Sequence, residues 1–550
     1  MANLKVIPLG GMGKVSQNMF VYQYQDEILI IDCGIGFPDI HTPGIDILIP
    51  DISYLQNEVT NGKKIVGLIF SHGHDDHIAA LPYLIKDLPS FPILASPLTA
   101  AFATDRLSEV NAFPEIKIIE DKKWIQLGKN FKVIACAITH SVPDTKHFLL
   151  ETPLGLIYHG SDFKLDAHPI DGVKSDLDFI GQYKGKVKLM LMDCLRVERD
   201  NWSVSEAIVG ASLEEELKNT EGKLIVTLMS SHIHRIQQIV NLATKYNRKV
   251  SFVGRSVEKN VKAAIKLVKL KDPSQVIISR KRISKFQDKE LILVVAGSQG
   301  QEGSSLVRAV YGFHPQIQIK KKDRVIFSAD VIPGNELTFY QAIDELSING
   351  VEVVYPDIKA NIHASGHASS LEQQELLNLV KPEYVMPIGG ANRHRSLFAR
   401  KVAFNCGYKG QQVIIPKEGE IIYLENEKVF IKDKINLKPK LVDGLGIGDV
   451  GPIVISDRKI LGTDGIMVIL LKKNKNFIDP NFVEIISRGF IFMKESEDIV
   501  NFLKEKVKDI IFNLKDRKDA DIEAEMEKRV AKNIHLLTGR APMIYIKIID

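Results

Sequence analysis

Short apolar runs separated by turns recur from the first residues of the chain. LKVIPLG (4–10) is strand-like, and FVYQYQDEILIID (20–32) holds two strand-length apolar runs flanking a polar break, which predicts a β-hairpin. KIVGLIF (64–70), FPILAS (91–96), FKVIACAITH (131–140) and GLIYHG (155–160) each predict a strand. AIVGASLEEELKN (207–219) and HRIQQIVNLATKYN (234–247) have the spacing of amphipathic helices. From SFVGRS (251–256) to VIFSAD (325–330) strands and helices alternate again, predicting a second α/β unit. The polar DKINLKPKLVD (433–443) is expected as a linker, EDIVNFLKEKVKDIIFNLKD (497–516) as a long charged helix, and MIYIKII (543–549) as a last strand. No internal repeat or low-complexity tract interrupts this alternation.

Composition narrows the class. A chain of 550 residues, 45% hydrophobic and 25% charged, is expected to form two to four globular domains. Cys33, Cys136, Cys194 and Cys406 are far apart with no CxxC pair, which argues against a zinc finger or disulfide framework and for a reducing cytosol. The first residues lack the pattern of a signal peptide, and no apolar run approaches the ~20 residues of a membrane span, so the expectation is a cytoplasmic protein without a membrane partner. Net charge is only +4, but residues 231–330 hold 20 Lys and Arg against 7 Asp and Glu, a local +13. That bias points to a polyanion, nucleic acid first, without separating RNA from DNA.

Candidate chemistry concentrates in SHGHDDHIAA (71–80), directly after an apolar strand. His72 and His74, two apart on an extended segment, point the same way, and Asp76 and His77 follow on the turn into a helix. Neutral imidazoles and carboxylates converging from one loop suit a borderline divalent ion such as Zn²⁺. His140 in ITHSVPD and Asp162 in HGSDFK also follow strands and complete the expected ligand set. Asp32 in LIIDCG is expected to orient the ligating histidines from behind.

These motifs resemble the metallo-β-lactamase superfamily, and the likeness extends beyond the cage. GGMGKVSQNMF, FPDIHTPGIDILIPDISYL, HGHDDHIAALPYL, SDFK, GRS (254–256), AGSQG (296–300), VIPGNE (331–336), HASGHAS (363–369), VDGLGIGDVG (442–451) and SRGF (487–490) are similar to segments of the bacterial ribonuclease J family. The resemblance implies an α/β fold: a metallo-β-lactamase αββα sandwich (1–210 and 351–432), an inserted β-CASP α/β domain (211–350), a linker (433–450) and a small C-terminal α/β domain (451–550). It implies a metal-dependent ribonuclease of RNA maturation and decay, a 5′-to-3′ exonuclease, an endonuclease or both, acting on single-stranded RNA. By the same resemblance His72, His74 and His140 hold one ion, Asp76 and His77 another, and Asp162 bridges. The ions are Zn²⁺, one or two per chain, with Mn²⁺ or Mg²⁺ as alternatives. His367 is the implied general acid and Asp193 its orienting carboxylate, while RNA is held by Ser231, His232, Ile233, Ser298 and the loop His363, Ala364, Ser365, Gly366 and His367. A homodimer, a homotetramer or a hetero-oligomer with a paralogue is also implied.

One departure bears on the cage. Where the family places His-Gly-Glu after a strand, this chain reads YVMPIGGANRHR, with Gly389 and Ala391 at the first and third positions and His394 five residues on. Lys14, LMDCLRVER around Asp193, His232 and GSQGQEG also depart from the family pattern. Two readings stay open on sequence: a ribonuclease with a weakened second metal site, and a catalytically weak RNA-binding paralogue serving as a subunit of an active ribonuclease J.

Overall fold

The computed structural model describes the chain apart from residues 1–2, 40, 333, 445, 475–476, 492–496, 515–518 and 550, and apart from the side chains of 514 and 519–521. Residues 515–516 of the predicted long helix, Pro333 of VIPGNE and Leu445 of VDGLGIGDVG therefore lie outside the described residues. The chain divides into two units, one formed by 1–37 with 48–440 and the other by 38–47 with 441–550.

Two sheets build the core of the first unit. One has eight strands, with Leu4–Pro8, Phe20–Tyr24, Glu27–Ile31 and Lys64–Ile69 at its centre and Glu420–Glu425 paired onto Leu4–Pro8. The other runs Tyr384–Ile388, Val187–Asp193, Gly155–His159, Lys146–Thr152, Phe131–Ala137, Trp124–Leu127. The period-two alternation of these strands sorts their side chains. Phe20, Tyr22, Leu29 and Ile31 meet Phe131, Val133, Phe148, Leu150, Leu189 and Leu191 in one apolar layer. The alternate residues Ile134, Cys136, Leu149, Tyr158 and Met190 face outward against Leu376, Leu377, Val380, Phe398 and Val402. Burial of one face under the other sheet and of the opposite face under helices gives the layered sandwich.

Val187–Asp193 pairs in parallel with Tyr384–Ile388, so nearly two hundred residues leave the core sheet and return to it. Within that excursion lies a separate parallel sheet, order Ile277–Ile278, Lys249–Val253, Leu291–Val295, Leu224–Thr227, Arg324–Phe327, Glu352–Val354. Its central strands are apolar and buried, as expected for a sheet covered on both faces. The GRS, AGSQG and SSHI motifs and the start of VIPGNE all follow the carboxyl ends of these strands, the edge where open α/β sheets bind ligands.

The hairpin, the core strands and both amphipathic helices form where the periodicity places them. The polar segment 433–443 differs from its reading: Asp433 and Lys434 end the strand Lys428–Lys434, and Lys440–Asp443 is itself a strand. The charges of Asp433 and Lys434 are tolerated because their strand is at the edge of the eight-stranded sheet. In the second unit Ile466–Asn474 lies between Phe477–Arg488 and Met543–Ile549, with Glu497–Leu514 and Asp519–Thr538 over the buried face. Among the described residues no helix is long and apolar enough to cross a membrane.

Candidate metal centre

The centre is assembled at strand ends. His72 and His74 follow Lys64–Ile69, Asp76 and His77 lie in the short helix Asp75–Ile78, and His140 and Asp162 follow Phe131–Ala137 and Gly155–His159. The helix is pinned against the Asp32 loop by Cys33 N–H to His77 O at 2.7 Å and Asn18 N–H to Asp76 O at 3.0 Å. Gly34 makes this approach feasible, because a Cβ there would stand 1.6 Å from Asp76 O.

Each imidazole is oriented by a partner behind it. His77 Nδ1 lies 2.7 Å from Asp32 Oδ2, His140 Nδ1 lies 2.6 Å from Gly366 O, and His367 Nδ1 lies 2.7 Å from Asp193 Oδ2. Ser71 donates its hydroxyl to Asp32 Oδ2 at 2.7 Å and stands 3.0 Å from His72 Nδ1. These partners leave four Nε2 atoms turned inward. His74 is reversed: its Nε2 faces Ser141 Oγ at 3.1 Å, leaving Nδ1 inward. Such backing fixes tautomer and ring orientation at ligating histidines.

All of these inward atoms surround Asp162. Its Oδ2 lies 3.6 Å from His72 Nε2, 3.9 Å from His140 Nε2, 3.4 Å from His77 Nε2 and 3.8 Å from His367 Nε2. His74 Nδ1 lies 3.0 Å from His72 Nε2 and 3.2 Å from His140 Nε2. A tetrahedral ion with ligands at about 2.0–2.1 Å has edges of about 3.4 Å, so His72, His74, His140 and Asp162 fit one divalent cation. Asp76, His77 and Asp162 form a second group, with Asp76 Oδ2 3.8 Å from His77 Nε2. Those donors fit three corners of a second site.

Position 389 borders Asp162 and Asp193. Gly389 has φ +69°, and a Cβ built on it would lie 3.4 Å from Asp193 Oδ1 and 3.8 Å from Asp162 Oδ1. A side chain at 389 would therefore point at the gap between those two carboxylates, and glycine supplies none. His394 does not substitute. It is buried, its Nδ1 accepts from the Ala391 N–H at 3.2 Å, and its Nε2 faces Glu198 at 3.7 Å.

Electrostatics agree with the first group of donors. Burial pushes His72 and His140 well below the usual imidazole range and His74 down to about 3, keeping them neutral, as ligands must be. Burial alone would also lower His77, but Asp162, Asp32 and Asp76 outweigh it and raise that group. Burial lifts Asp76 to about 6. For His367, burial is overcome by Asp193 and Asp162, which hold it at about 9.

The residues expected to touch RNA divide. The loop 363–367 adjoins the centre through Gly366 and His367. Ser231, His232 and Ile233 are instead buried, and neither ring nitrogen of His232 is hydrogen-bonded. His232 lines the wall of a small enclosed cavity that His140, Lys164, His234 and Ser365 also bound. Ser298 is buried too, its hydroxyl 4.0 Å from Met229 Sδ, while Gln299 ties its turn to Asp330 O and the Ile332 N–H. Sequence reasoning missed Ser71, Asn18, whose Nδ2 lies 3.1 Å from His77 Nε2, and Ser141. Their place inside the quoted segments SHGHDDHIAA, GGMGKVSQNMF and ITHSVPD was the signal.

Comparison with known proteins covers the same regions. Residues 12–140 match the metallo-beta-lactamase superfamily, 221–346 the ribonuclease J beta-CASP domain and 453–550 the ribonuclease J C-terminal domain. The chain is 34% identical to Ribonuclease J of Thermus thermophilus, over all of this chain and 95% of that one. It is 30% identical to Ribonuclease J2 of Bacillus subtilis over 98% of each, and 33% identical to Ribonuclease J 1 of Streptococcus pyogenes over 94% of this chain and 92% of that one. A protein of unknown function from Enterococcus faecalis superposes with a TM-score of 0.52 at 15% identity, covering 76% of this chain and all of that one, a likeness of fold alone.

Proposed function

Because the chain belongs to the ribonuclease J family, we propose that it is a metal-dependent ribonuclease cleaving single-stranded RNA, from the 5′ end, internally or both, in RNA maturation and decay. The observation that carries this reading is the convergence of His72, His74, His77, His140 and His367 on Asp162, with His367 held by Asp193. His72, His74, His140 and Asp162 would hold one Zn²⁺, and Asp76, His77 and Asp162 a second, weaker one; Mn²⁺ or Mg²⁺ suits the carboxylate-rich second group as well. Bound ions supply Lewis acidity that activates water and neutralises charge on the scissile phosphate.

The remaining chemistry falls to the chain. His367 keeps Nδ1 on Asp193 and directs Nε2 toward Asp162, an orientation suited to protonating the departing 3′ oxygen. The hydroxyl of Ser365 and the backbone N–H groups of AGSQG (296–300) suit phosphate oxygens. We take 1–210 with 351–432 as the catalytic core, 211–350 as the inserted RNA clamp, 433–450 as the connection and 451–550 as the domain supporting a homo- or hetero-oligomer, with the protein in the cytoplasm. The subunit-only reading is not favoured, since the relatives are named as ribonucleases along nearly the whole chain. Gly389 enters as a weakened second site.

The test is metal stoichiometry on the purified chain together with turnover of a 5′-monophosphorylated single-stranded RNA in added Zn²⁺ or Mn²⁺. Cleavage that disappears in His72→Ala is expected. RNA bound but uncut under every metal would return the protein to the subunit role.

A further inference from the structure

We infer that Arg235 is a positioning residue: from the inserted domain it fixes the loop 363–367, and through that loop the imidazoles of His140 and His367. The inference rests on the ribonuclease reading for its kinetic part only.

Arg235 lies in the helix Ile233–Lys245 and is fully buried. Its Nε and Nη2 each donate to a Glu206 carboxylate oxygen at 2.8 Å. Nη2 also donates to Ala364 O at 3.0 Å, and Nη1 donates to Ser328 O and to His363 Nδ1, both at 2.7 Å. All five N–H groups of the guanidinium are thereby engaged, two of them on the loop. His363 is turned to receive its bond because its Nε2 faces Asp330 Oδ2 at 3.5 Å.

Two residues further on, the same loop meets the metal centre. Gly366 O is the acceptor 2.6 Å from His140 Nδ1. The approach is close, since a Cβ on Gly366 would stand 2.8 Å from His140 Cε1. His367 follows and bonds Asp193. The far end of the loop is anchored by Ala368 N–H to Phe163 O at 2.6 Å, next to Asp162. Arg235 thus anchors the near end, beside the Ser328 hydroxyl, which donates to Ile362 O at 2.6 Å. Releasing it frees the half of the loop that carries the acceptor for His140. Lysine cannot replace it, because three donors on one nitrogen do not span Glu206, Ser328, His363 and Ala364 in a plane.

The experiment compares full-length wild type with Arg235→Lys at temperatures where circular dichroism reports both folded. Removal of bound Zn²⁺ by a chelating dye is followed without RNA, and kcat and KM are measured separately on 5′-monophosphorylated RNA. Zn²⁺ affinity of R235K is expected to fall about 10–100-fold, the range for losing the partner behind a ligating histidine. The kcat is expected to fall, and KM to rise, since on the ribonuclease reading the same loop receives the RNA phosphate. Wild-type Zn²⁺ affinity and kcat in R235K, with only the melting temperature lowered, would overturn the inference. His363→Ala loosens the same loop and leaves the Glu206–Arg235 pair intact. If R235K does not accumulate folded, His363→Ala takes its place, with the same direction of change expected and wild-type behaviour counting against. The dye measurement needs no RNA cleavage, so failure of the ribonuclease reading would not be mistaken for failure of this one.

Discussion

His367 Nδ1 lies 2.7 Å from Asp193 Oδ2, and that bond decides which ring nitrogen is left for chemistry. Nε2 is the atom that faces Asp162. His367→Gln should lower kcat by about 10²–10⁴, the contribution of a positioned general acid, while RNA binding changes little. Asp193→Asn retains an acceptor and should cost less. Single-turnover rates measure both, and unimpaired cleavage in His367→Gln would remove the residue from the mechanism.

Among the described residues Asp162 is common to both proposed ion groups and to a third cluster, Asp162 with Asp193 and His367. Asp162→Asn should therefore lower occupancy of both sites, whereas His74→Ala should affect the first and spare the second. Elemental analysis after dialysis separates the cases. Equal loss in both variants would mean that the two groups do not act as separate sites. Chelation of the wild type should abolish cleavage and added Zn²⁺ or Mn²⁺ should restore it.

Much of this centre was legible from local pattern. HGHDDH announces itself because its members are adjacent, and His140 and Asp162 were readable because each ends an apolar strand. The hairpin 20–31 was equally plain, since its two apolar runs flank the single break at 25–26. What escaped depends on contacts distant in sequence. Arg235 reads as a charge on an amphipathic helix, yet its partners lie 29 to 129 positions away. The basic window gave no sign that this arginine is buried. His232 is polar by type, so exposure was the natural reading, but tertiary packing enclosed it.

Asp166 holds the start of the helix Glu206–Lys218, which leads into the inserted domain. It accepts from the Ser205 hydroxyl at 2.8 Å and from the Glu206 N–H at 2.9 Å. Burial alone would raise its pKa, but the Glu206 N–H and the Lys164 ammonium hold it below the ordinary value. A carboxyl lowered on folding stabilises above its unfolded pKa of about 3.9 and loses that contribution as pH falls through the folded value. Asp166→Asn should therefore cost about 1 kcal/mol near neutral pH, the difference between charged and neutral acceptors. The gap to wild type should persist from pH 7 to 5 and narrow below about 4. Thermal melts across that range test it, and a gap that widens on acidification would assign the stability to another group.

On the proposed reading, the strength of the second metal site turns on Gly389. The Cβ direction there faces Asp162 and Asp193 at ordinary contact distance, so a side chain has an entry. The backbone opposes it, because φ +69° is a left-handed conformation that costs a non-glycine residue about 1–2 kcal/mol. Gly389→His should thus lower the melting temperature slightly in the metal-free protein. It should also raise affinity for the second ion, since imidazole supplies a further ligand beside Asp76, His77 and Asp162. With Zn²⁺ present the stabilisation by binding should offset the strain. Zn²⁺ titration of wild type and variant, followed by melting with and without the ion, reads both effects. Unchanged stoichiometry and affinity in Gly389→His would mean that position 389 does not limit the second site, and that Asp76, His77 and Asp162 suffice as this chain places them.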